Sequence, residues 1–171
     1  LGRDLLVAPV RERGVAERAV AIPEGAWHDF WTGEILLGPT TTVAEAPITR
    51  LPLFVRAGAV IPYEAVRQHT GESGDGVLRL LVASEPAEGG GPGVAGSLYA
   101  DAGEGFAFRD GALWRALFRA NGDDVSIRTT EGDPSASRWD RVVAARVGSG
   151  LPVGRTEGRS LIGDDIVAPV E

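Results

Sequence analysis

The sequence contains no cysteine and no lysine. Without cysteine there is neither a disulfide framework nor a metal site built on thiolates. The 17 basic side chains other than histidine are therefore all arginines, and they are scattered along the chain. A nucleic-acid or anionic membrane surface needs a concentrated basic patch, and the formal net charge is −7. We expect neither nucleic acid nor a membrane as a partner.

Methionine is also absent, and the sequence opens on Leu1. We therefore expect further residues upstream. Long hydrophobic runs are missing too, since no apolar segment approaches the ~20 residues that cross a bilayer. What is present is 43% hydrophobic and 24% charged residues, the profile of a soluble globular protein. Cellular location is left open, with the cytoplasm favoured over secretion.

Short apolar or alternating segments, separated by glycine and proline, predict β-strands nearly everywhere. In the clearest of them Trp114, Ala116 and Phe118 share one face of an extended chain and arginines take the other. No segment has a convincing helical stripe. The sequence therefore predicts an all-β fold. The predicted strands are residues 4–10, 18–22, 40–45, 53–61, 77–84, 94–100, 105–109, 112–120, 123–130 and 139–147.

A polar, glycine-rich stretch at residues 63–76 interrupts this series and is typical of a linker. We predict two small antiparallel β-sandwich domains in tandem, a proximal one at residues 1–68 and a distal one at residues 69–171. Gly58 lies inside the apolar run 53–61, which indicates a bulge or a close approach of two backbone segments.

Aromatic residues are densest around Trp27 and Trp31. In an extended chain these two rings lie on the same face, where they could stack on a sugar or fill a sandwich core. We favour the core because buried aromatics are the common case. Tyr99, together with Phe106 and Phe108, offers a second aromatic platform. The candidate sugar contacts are thus Trp27, Trp31 and Tyr99.

Glycoside hydrolysis needs two carboxyl groups facing each other across the scissile bond. Adjacent Asp123 and Asp124 point to opposite faces of a strand, so they do not provide such a pair. The two histidines, His28 and His69, lack the spacing of a metal pair. We predict no catalytic residue, no metal ligand and no cofactor in this chain. The carboxylates considered were Asp29, Asp101, Glu104, Asp123 and Asp124.

Three segments follow one another in a recognisable order: residues 2–10 (GRDLLVAPV), 22–33 (IPEGAWHDFWTG) and 51–62 (LPLFVRAGAVIP). The series resembles the region just after the catalytic barrel in glycoside hydrolase family 31, the α-glucosidase and α-xylosidase family. Residues 98–108 (LYADAGEGFAF) resemble the family's distal C-terminal motif more loosely, since Ala100 and Ala102 replace acidic residues. The resemblance extends over roughly residues 1–147.

The resemblance implies two β-sandwich domains that pack on the catalytic β/α barrel of the same parent enzyme. Family members are retaining hydrolases whose nucleophile and acid/base are aspartates of that barrel, so this chain alone is expected to be inactive. It would then expose an apolar patch where the barrel packs. Two other interpretations stay open. One is a free-standing carbohydrate-binding module that takes an oligosaccharide, and the other is an adhesion sandwich without a sugar role.

Overall fold

A computed structural model describes residues 2–69, 72, 74–85, 94–121, 124–148, 159–160 and 165–169. Regular structure there is extended apart from two 3-10 turns, Ala107–Asp110 and Pro134–Ala136, which confirms the predicted all-β class. No helix of these ranges is long and apolar enough to span a membrane. The strands are β1 (Leu5–Val7), β2 (Glu17–Asp29), β3 (Ile35–Glu45), β4 (Leu53–Arg56), β5 (Val60–Tyr63), β6 (Val77–Val82), β7 (Val94–Asp101), β8 (Leu113–Asn121), β9 (Asp124–Gly132), β10 (Arg141–Arg146), β11 (Arg159–Ser160) and β12 (Asp165–Pro169).

These strands form three four-stranded sheets. The first, with strand order β1-β4-β2-β3, makes up the proximal unit. The middle sheet has the order β11-β10-β6-β5, and the outer sheet has the order β12-β9-β8-β7. Middle and outer sheets pack face to face as the distal sandwich. Neighbouring strands are antiparallel with one exception among the described pairs, the parallel pair of β6 and β10.

The proximal unit is built on the long hairpin of β2 and β3. The register of this hairpin shifts between Ile22 and Gly25, and Gly25 has a positive φ of 104°. The predicted strand 18–22 stops before Pro23, whereas β2 continues to Asp29 because the bulge accommodates this proline. The bent sheet encloses a core of Ala8, Val20, Ile22, Trp27, Ala44 and Phe54.

The distal sandwich contains the larger core. In β8, Trp114, Ala116 and Phe118 are buried while the residues between them face solvent, as the sequence predicts. Every residue of β6 is buried. The reason is that one face of the middle sheet meets the outer sheet, and its other face meets the proximal unit. A strand covered on both faces has a nearly continuous apolar sequence, and β6 is apolar except for Arg79.

Two predicted strands differ in the structure. The run 53–61 is two strands, β4 and β5, because the chain turns at Gly58 with a φ of 84°. The Gly58 N–H donates to the Ala83 carbonyl at 2.8 Å, and the Gly58 carbonyl accepts the Ala95 N–H at 2.9 Å, so backbone segments do approach closely here. The predicted strand 105–109 is wrong, because part of it forms the 3-10 turn that Gly111 ends with a φ of 88°.

The proximal unit and the distal sandwich share a buried joint. Its apolar cluster comprises Val55, Ala59, Leu81, Ala83 and Val147. The ring Nε2–H of buried His28 donates to the carbonyl oxygen of Ser84 at 2.8 Å and so crosses the joint. Strand β5 pairs with β6 and therefore belongs to the middle sheet. The domain boundary at residue 68 stays a prediction.

Candidate functional site

The turn after β2 determines where Trp31 lies. Strand β2 ends at Asp29, whose Oδ1 accepts hydrogen bonds from the backbone N–H groups of Trp31 (2.8 Å) and Thr32 (2.9 Å). Aspartate favours such bonding to the backbone two residues on. Gly33 completes the turn with a φ of 77° and donates its N–H to the Asp29 carbonyl at 2.8 Å. Trp27 and Trp31 consequently do not share a strand face, contrary to the extended-chain expectation.

The Trp31 indole is fixed at the surface. Its Nε1–H donates to the carbonyl oxygen of Leu51 at 2.8 Å. The ring of Phe30 meets it in a T-shaped arrangement with 5.0 Å between ring centroids. These two contacts orient a large ring of which 41% is exposed. An oriented, exposed aromatic ring is a ready contact surface for a ligand.

A groove of ≈ 270 Å³ opens beside this ring, and we refer to it as the Trp31 groove. Its elements come together only in the fold: the turn after β2, strand β3, and the connection from β3 to β4. Apolar and polar side chains both face it. The lining residues are Asp29, Trp31, Thr32, Glu34, Leu36, Thr42, Val43, Ala44, Glu45, Arg50 and Phe54.

Three carboxylates and one guanidinium give the groove its charge. The Arg50 guanidinium carbon lies 5.8 Å from the centroid of the Trp31 ring. Nη1 of Arg50 also lies 3.8 Å from Oε2 of Glu45, as an exposed ion pair that contributes little to stability. Among the described residues no group of three or more carboxylates or histidines could hold a metal ion.

Trp27 lies in the core of the proximal unit with 3% exposed. Its Nε1–H donates to the Pro23 carbonyl at 3.2 Å, and the guanidinium carbon of Arg56 lies 4.5 Å from its ring centroid. A sugar has no access to a ring covered in this way. Of the two tryptophans singled out by the sequence, only Trp31 lines the groove.

Tyr99 lies elsewhere, on the outward face of the outer sheet, with 47% exposed. Its hydroxyl donates to Oδ2 of Asp101 at 2.8 Å, which raises the pKa of the Tyr99 hydroxyl. The Arg115 guanidinium carbon lies 5.1 Å from the ring centroid, and its Nε lies 3.0 Å from Oε2 of Glu131. Tyr99 is thus part of a cross-strand ladder whose polar atoms are already engaged.

The other residues considered from the sequence are dispersed. Asp101 accepts the backbone N–H of Gly103 at 2.8 Å, and this bond, with that of Tyr99, lowers the pKa of the Asp101 carboxyl. Such bonding fits the turn-stabilising role that the sequence suggests. Glu104 and His69 are exposed, and Asp124 begins β9. Asp123 lies outside the described residues.

Sequence reasoning missed Arg50 and Glu45 as members of the groove. Both lie more than a dozen positions from Trp31 along the chain, so no spacing signal connects them. It also missed the ion pair of buried Arg79 with the partly exposed Asp75. The sequence does show two opposite charges four residues apart. That spacing brings side chains together on a helix and not normally on a strand, so it gave no reason to expect an ion pair here.

The chain matches a family model described as the glycosyl hydrolase family 31 C-terminal domain over residues 1–61. A probable glucan 1,3-alpha-glucosidase from Arabidopsis thaliana is 32% identical over 123 residues, which is 69% of this chain and 13% of that protein. A sulfoquinovosidase from Escherichia coli (strain K12) is 49% identical over 57 residues, which is 33% of this chain and 8% of that protein.

Solved structures of the same family resemble this chain over more of its length. The crystal structure of a GH31 alpha-xylosidase from Xanthomonas citri superposes with a TM-score of 0.77 at 27% identity. The match covers 98% of this chain and 19% of the xylosidase chain. Curated relatives are also much longer than this chain. It spans 12% of the length of an alpha-glucosidase from Mucor javanicus and 9% of the length of alpha-glucosidase 2 from Bacillus thermoamyloliquefaciens.

Proposed function

Because this chain belongs to glycoside hydrolase family 31 and carries its C-terminal domain, we propose that it acts as the accessory C-terminal part of an enzyme that hydrolyses α-glycosidic bonds. The family's enzymes have a catalytic barrel, and a barrel of this type needs about 250 residues. A chain of 171 residues does not contain one. The proposed role of the chain is therefore to pack on the barrel of the parent enzyme.

The chemistry of the family supports a non-catalytic role for this segment. Hydrolysis with retention requires two carboxyl groups about 5–5.5 Å apart across the scissile bond. Asp29, the carboxylate nearest the exposed tryptophan in sequence, uses one oxygen to hold the turn at Trp31 and Thr32. Asp101 is likewise engaged with its own turn. The chain itself is proposed to hydrolyse nothing.

The observation that carries the packing proposal is a set of exposed apolar side chains on the proximal unit. Ile48 is fully exposed, and Leu51 and Val15 are 45% and 42% exposed. All three line one open cavity of ≈ 560 Å³, formed by residues 9–16 and 46–52, which we call the loop cavity. A soluble chain rarely gathers such side chains at one place unless another surface covers them.

The experiment compares this chain with the parent enzyme that carries it. The parent is expected to hydrolyse a 4-nitrophenyl α-glycoside, and the chain alone is expected to leave α-glucoside and α-xyloside intact. The chain should bind an apolar dye such as ANS, and Ile48→Ser with Leu51→Ser should reduce that binding. In the parent enzyme, Ile48→Ser combined with Leu51→Ser should lower the free energy of unfolding by about 2–4 kcal/mol, because Ile48 and Leu51 are buried there against the barrel.

Val66→Ser is the matched control, since Val66 is 96% exposed and lies outside the loop cavity. It should change neither dye binding nor the stability of the parent. Hydrolysis by the chain alone would overturn the non-catalytic role. An unchanged parent stability in the double serine variant would overturn the placement of the barrel at the loop cavity.

A further inference from the structure

We infer that the Trp31 groove is a binding site for a neutral pyranose unit, such as the end of an α-linked oligosaccharide. It is argued from the groove alone and not from the packing of a barrel, although Arg50 lines both the groove and the loop cavity. It rests on three features of the groove: an oriented aromatic wall, carboxylates around it, and a volume of ≈ 270 Å³. Drug-sized ligands occupy pockets of about 300–1,000 Å³, so this groove suits one sugar ring.

The aromatic wall provides the apolar contact that a pyranose needs. One face of such a ring carries C–H groups, which pack against the indole of Trp31. The ring does not have to be ordered on binding, because the Leu51 carbonyl and the Phe30 ring already hold it. Binding therefore avoids part of the entropic cost of immobilising a side chain.

The polar wall provides hydrogen bonds for hydroxyl groups. Ionised carboxylates accept from vicinal hydroxyls, and Glu34 and Glu45 both line the groove. Asp29 also lines it, and the two described hydrogen bonds of its carboxylate both use Oδ1. Arg50 adds a donor at the rim. Acceptors and a donor on one side, with an indole on the other, match the amphipathic surface of a sugar.

A metal ion and an organic cation fit the groove less well. The carboxylates there do not converge into a group that could hold a metal within the described part of the chain. An organic cation would be drawn to the face of the indole, where the Arg50 guanidinium already lies 5.8 Å from the ring centroid. Like-charge repulsion from Arg50 disfavours a second cation at that face.

The test is an NMR titration of the chain with methyl α-D-glucopyranoside, methyl α-D-xylopyranoside and maltotriose, following the indole N–H signals. The Trp31 signal is identified by its absence in Trp31→Phe. It is expected to shift with a Kd on the order of 1 mM for at least one sugar, as befits one stacking contact and a few hydrogen bonds. Trp31→Ala should weaken binding about tenfold, and Trp31→Phe should weaken it less because a ring remains.

Two further variants keep the result decisive. Glu45→Gln leaves the indole in place and should weaken binding severalfold, so the conclusion does not depend on Trp31→Ala folding normally. Tyr99→Ala, on the outer sheet, should leave binding unchanged and is the control for the other aromatic candidate. The inference fails if no sugar shifts the Trp31 signal up to about 50 mM. It also fails if Tyr99→Ala abolishes the binding, or if tetramethylammonium shifts the Trp31 signal more strongly than any sugar.

Discussion

Arg79 is a charged residue with 1% exposed, on the face of β6 opposite to Leu78 and Leu80 of the distal core. Its Nη1 and Nη2 donate to the two carboxylate oxygens of Asp75 at 3.1 and 2.5 Å, and Nη1 also reaches the Val77 carbonyl at 3.2 Å. This hydrogen bonding lowers the pKa of the Asp75 carboxyl. Tyr63, opposite Arg79 on β5, has a buried hydroxyl, and burial raises its pKa to about 12.

Replacing Asp75 tests how much of this arrangement depends on the carboxylate. Asp75→Asn removes the carboxylate that pairs with the buried guanidinium, a loss that costs about 3–5 kcal/mol in fully buried pairs. Since the Asp75 side chain is 35% exposed, we expect about 2–3 kcal/mol in urea unfolding at pH 7. Asp140→Asn is the control, because the Asp140 side chain is 75% exposed beside Arg141, and its loss should stay below about 0.5 kcal/mol. Equal effects of the two substitutions would show that the burial of Arg79 does not strengthen its ion pair.

The pH dependence of this pair has a definite sign. The folded-state pKa of Asp75 lies below that of the unfolded chain, so its contribution is present above the unfolded pKa and is lost as pH falls through the folded pKa. The difference in unfolding free energy between the wild type and Asp75→Asn should therefore narrow as pH falls from about 5 to about 2. A constant difference across that range would show that the carboxylate's charge is not what matters.

At the scale of elements, two turns meet back to back at the joint. Gly33 follows the Trp31 turn of the proximal unit, and Gly148 follows β10 in the distal sandwich. A Cβ on Gly148 would lie 2.5 Å from the Gly33 Cα and 3.0 Å from the Thr32 carbonyl oxygen. Backbone therefore faces backbone, and no flexible side chain can move aside. The joint thus depends on glycine at this contact for space as well as for conformation.

Gly148→Ala should destabilise the protein more than Gly111→Ala. Both glycines have a φ of 88°, where an L-residue costs about 1–2 kcal/mol. A Cβ on Gly111 meets nothing within 4 Å, so that variant carries only this strain. Gly148→Ala adds the collision with Gly33, and its urea midpoint should fall further. If the two midpoints fall equally, the turns are not in firm contact.

At the scale of the whole molecule, the middle sheet links the two units. Its inner face belongs to the distal core, and its other face packs on Val55 of β4 in the joint cluster. The His28 bond to the Ser84 carbonyl adds a polar link across the same joint. Shared burial of this kind couples the unfolding of both units, because neither retains its full core without the other.

We expect the slowest-exchanging amides of β2 and β8 to report one common free energy of opening in hydrogen exchange. Val55→Ala should lower stability by about 2 kcal/mol, because Val55 is 0% exposed, and should let β2 open separately from β8. Val43→Ala, at a position 65% exposed in the same unit, should stay within about 0.5 kcal/mol. Different opening free energies for β2 and β8 in the unaltered protein would contradict the coupling.

The all-β class and the faces of the strands could be predicted from local pattern. The alternation in β8 follows from neighbours a few positions apart, where strand geometry relates sequence to orientation directly. A glycine inside the run 53–61 also indicated the close approach at Gly58, but not its partner segment at Ala83. The order of three segments also identified the family, and residues 1–61 match its C-terminal domain.

Tertiary structure alone decided which aromatic ring is exposed. Trp27 and Trp31 look equivalent in sequence, but the end of β2 at Asp29 sends one ring into the core and the other into a groove. It also decided that β6 is covered on both faces and that Arg50 lies beside Trp31. The physical reason is that these outcomes depend on contacts between distant segments, and those exist only once the sheets have bent and packed.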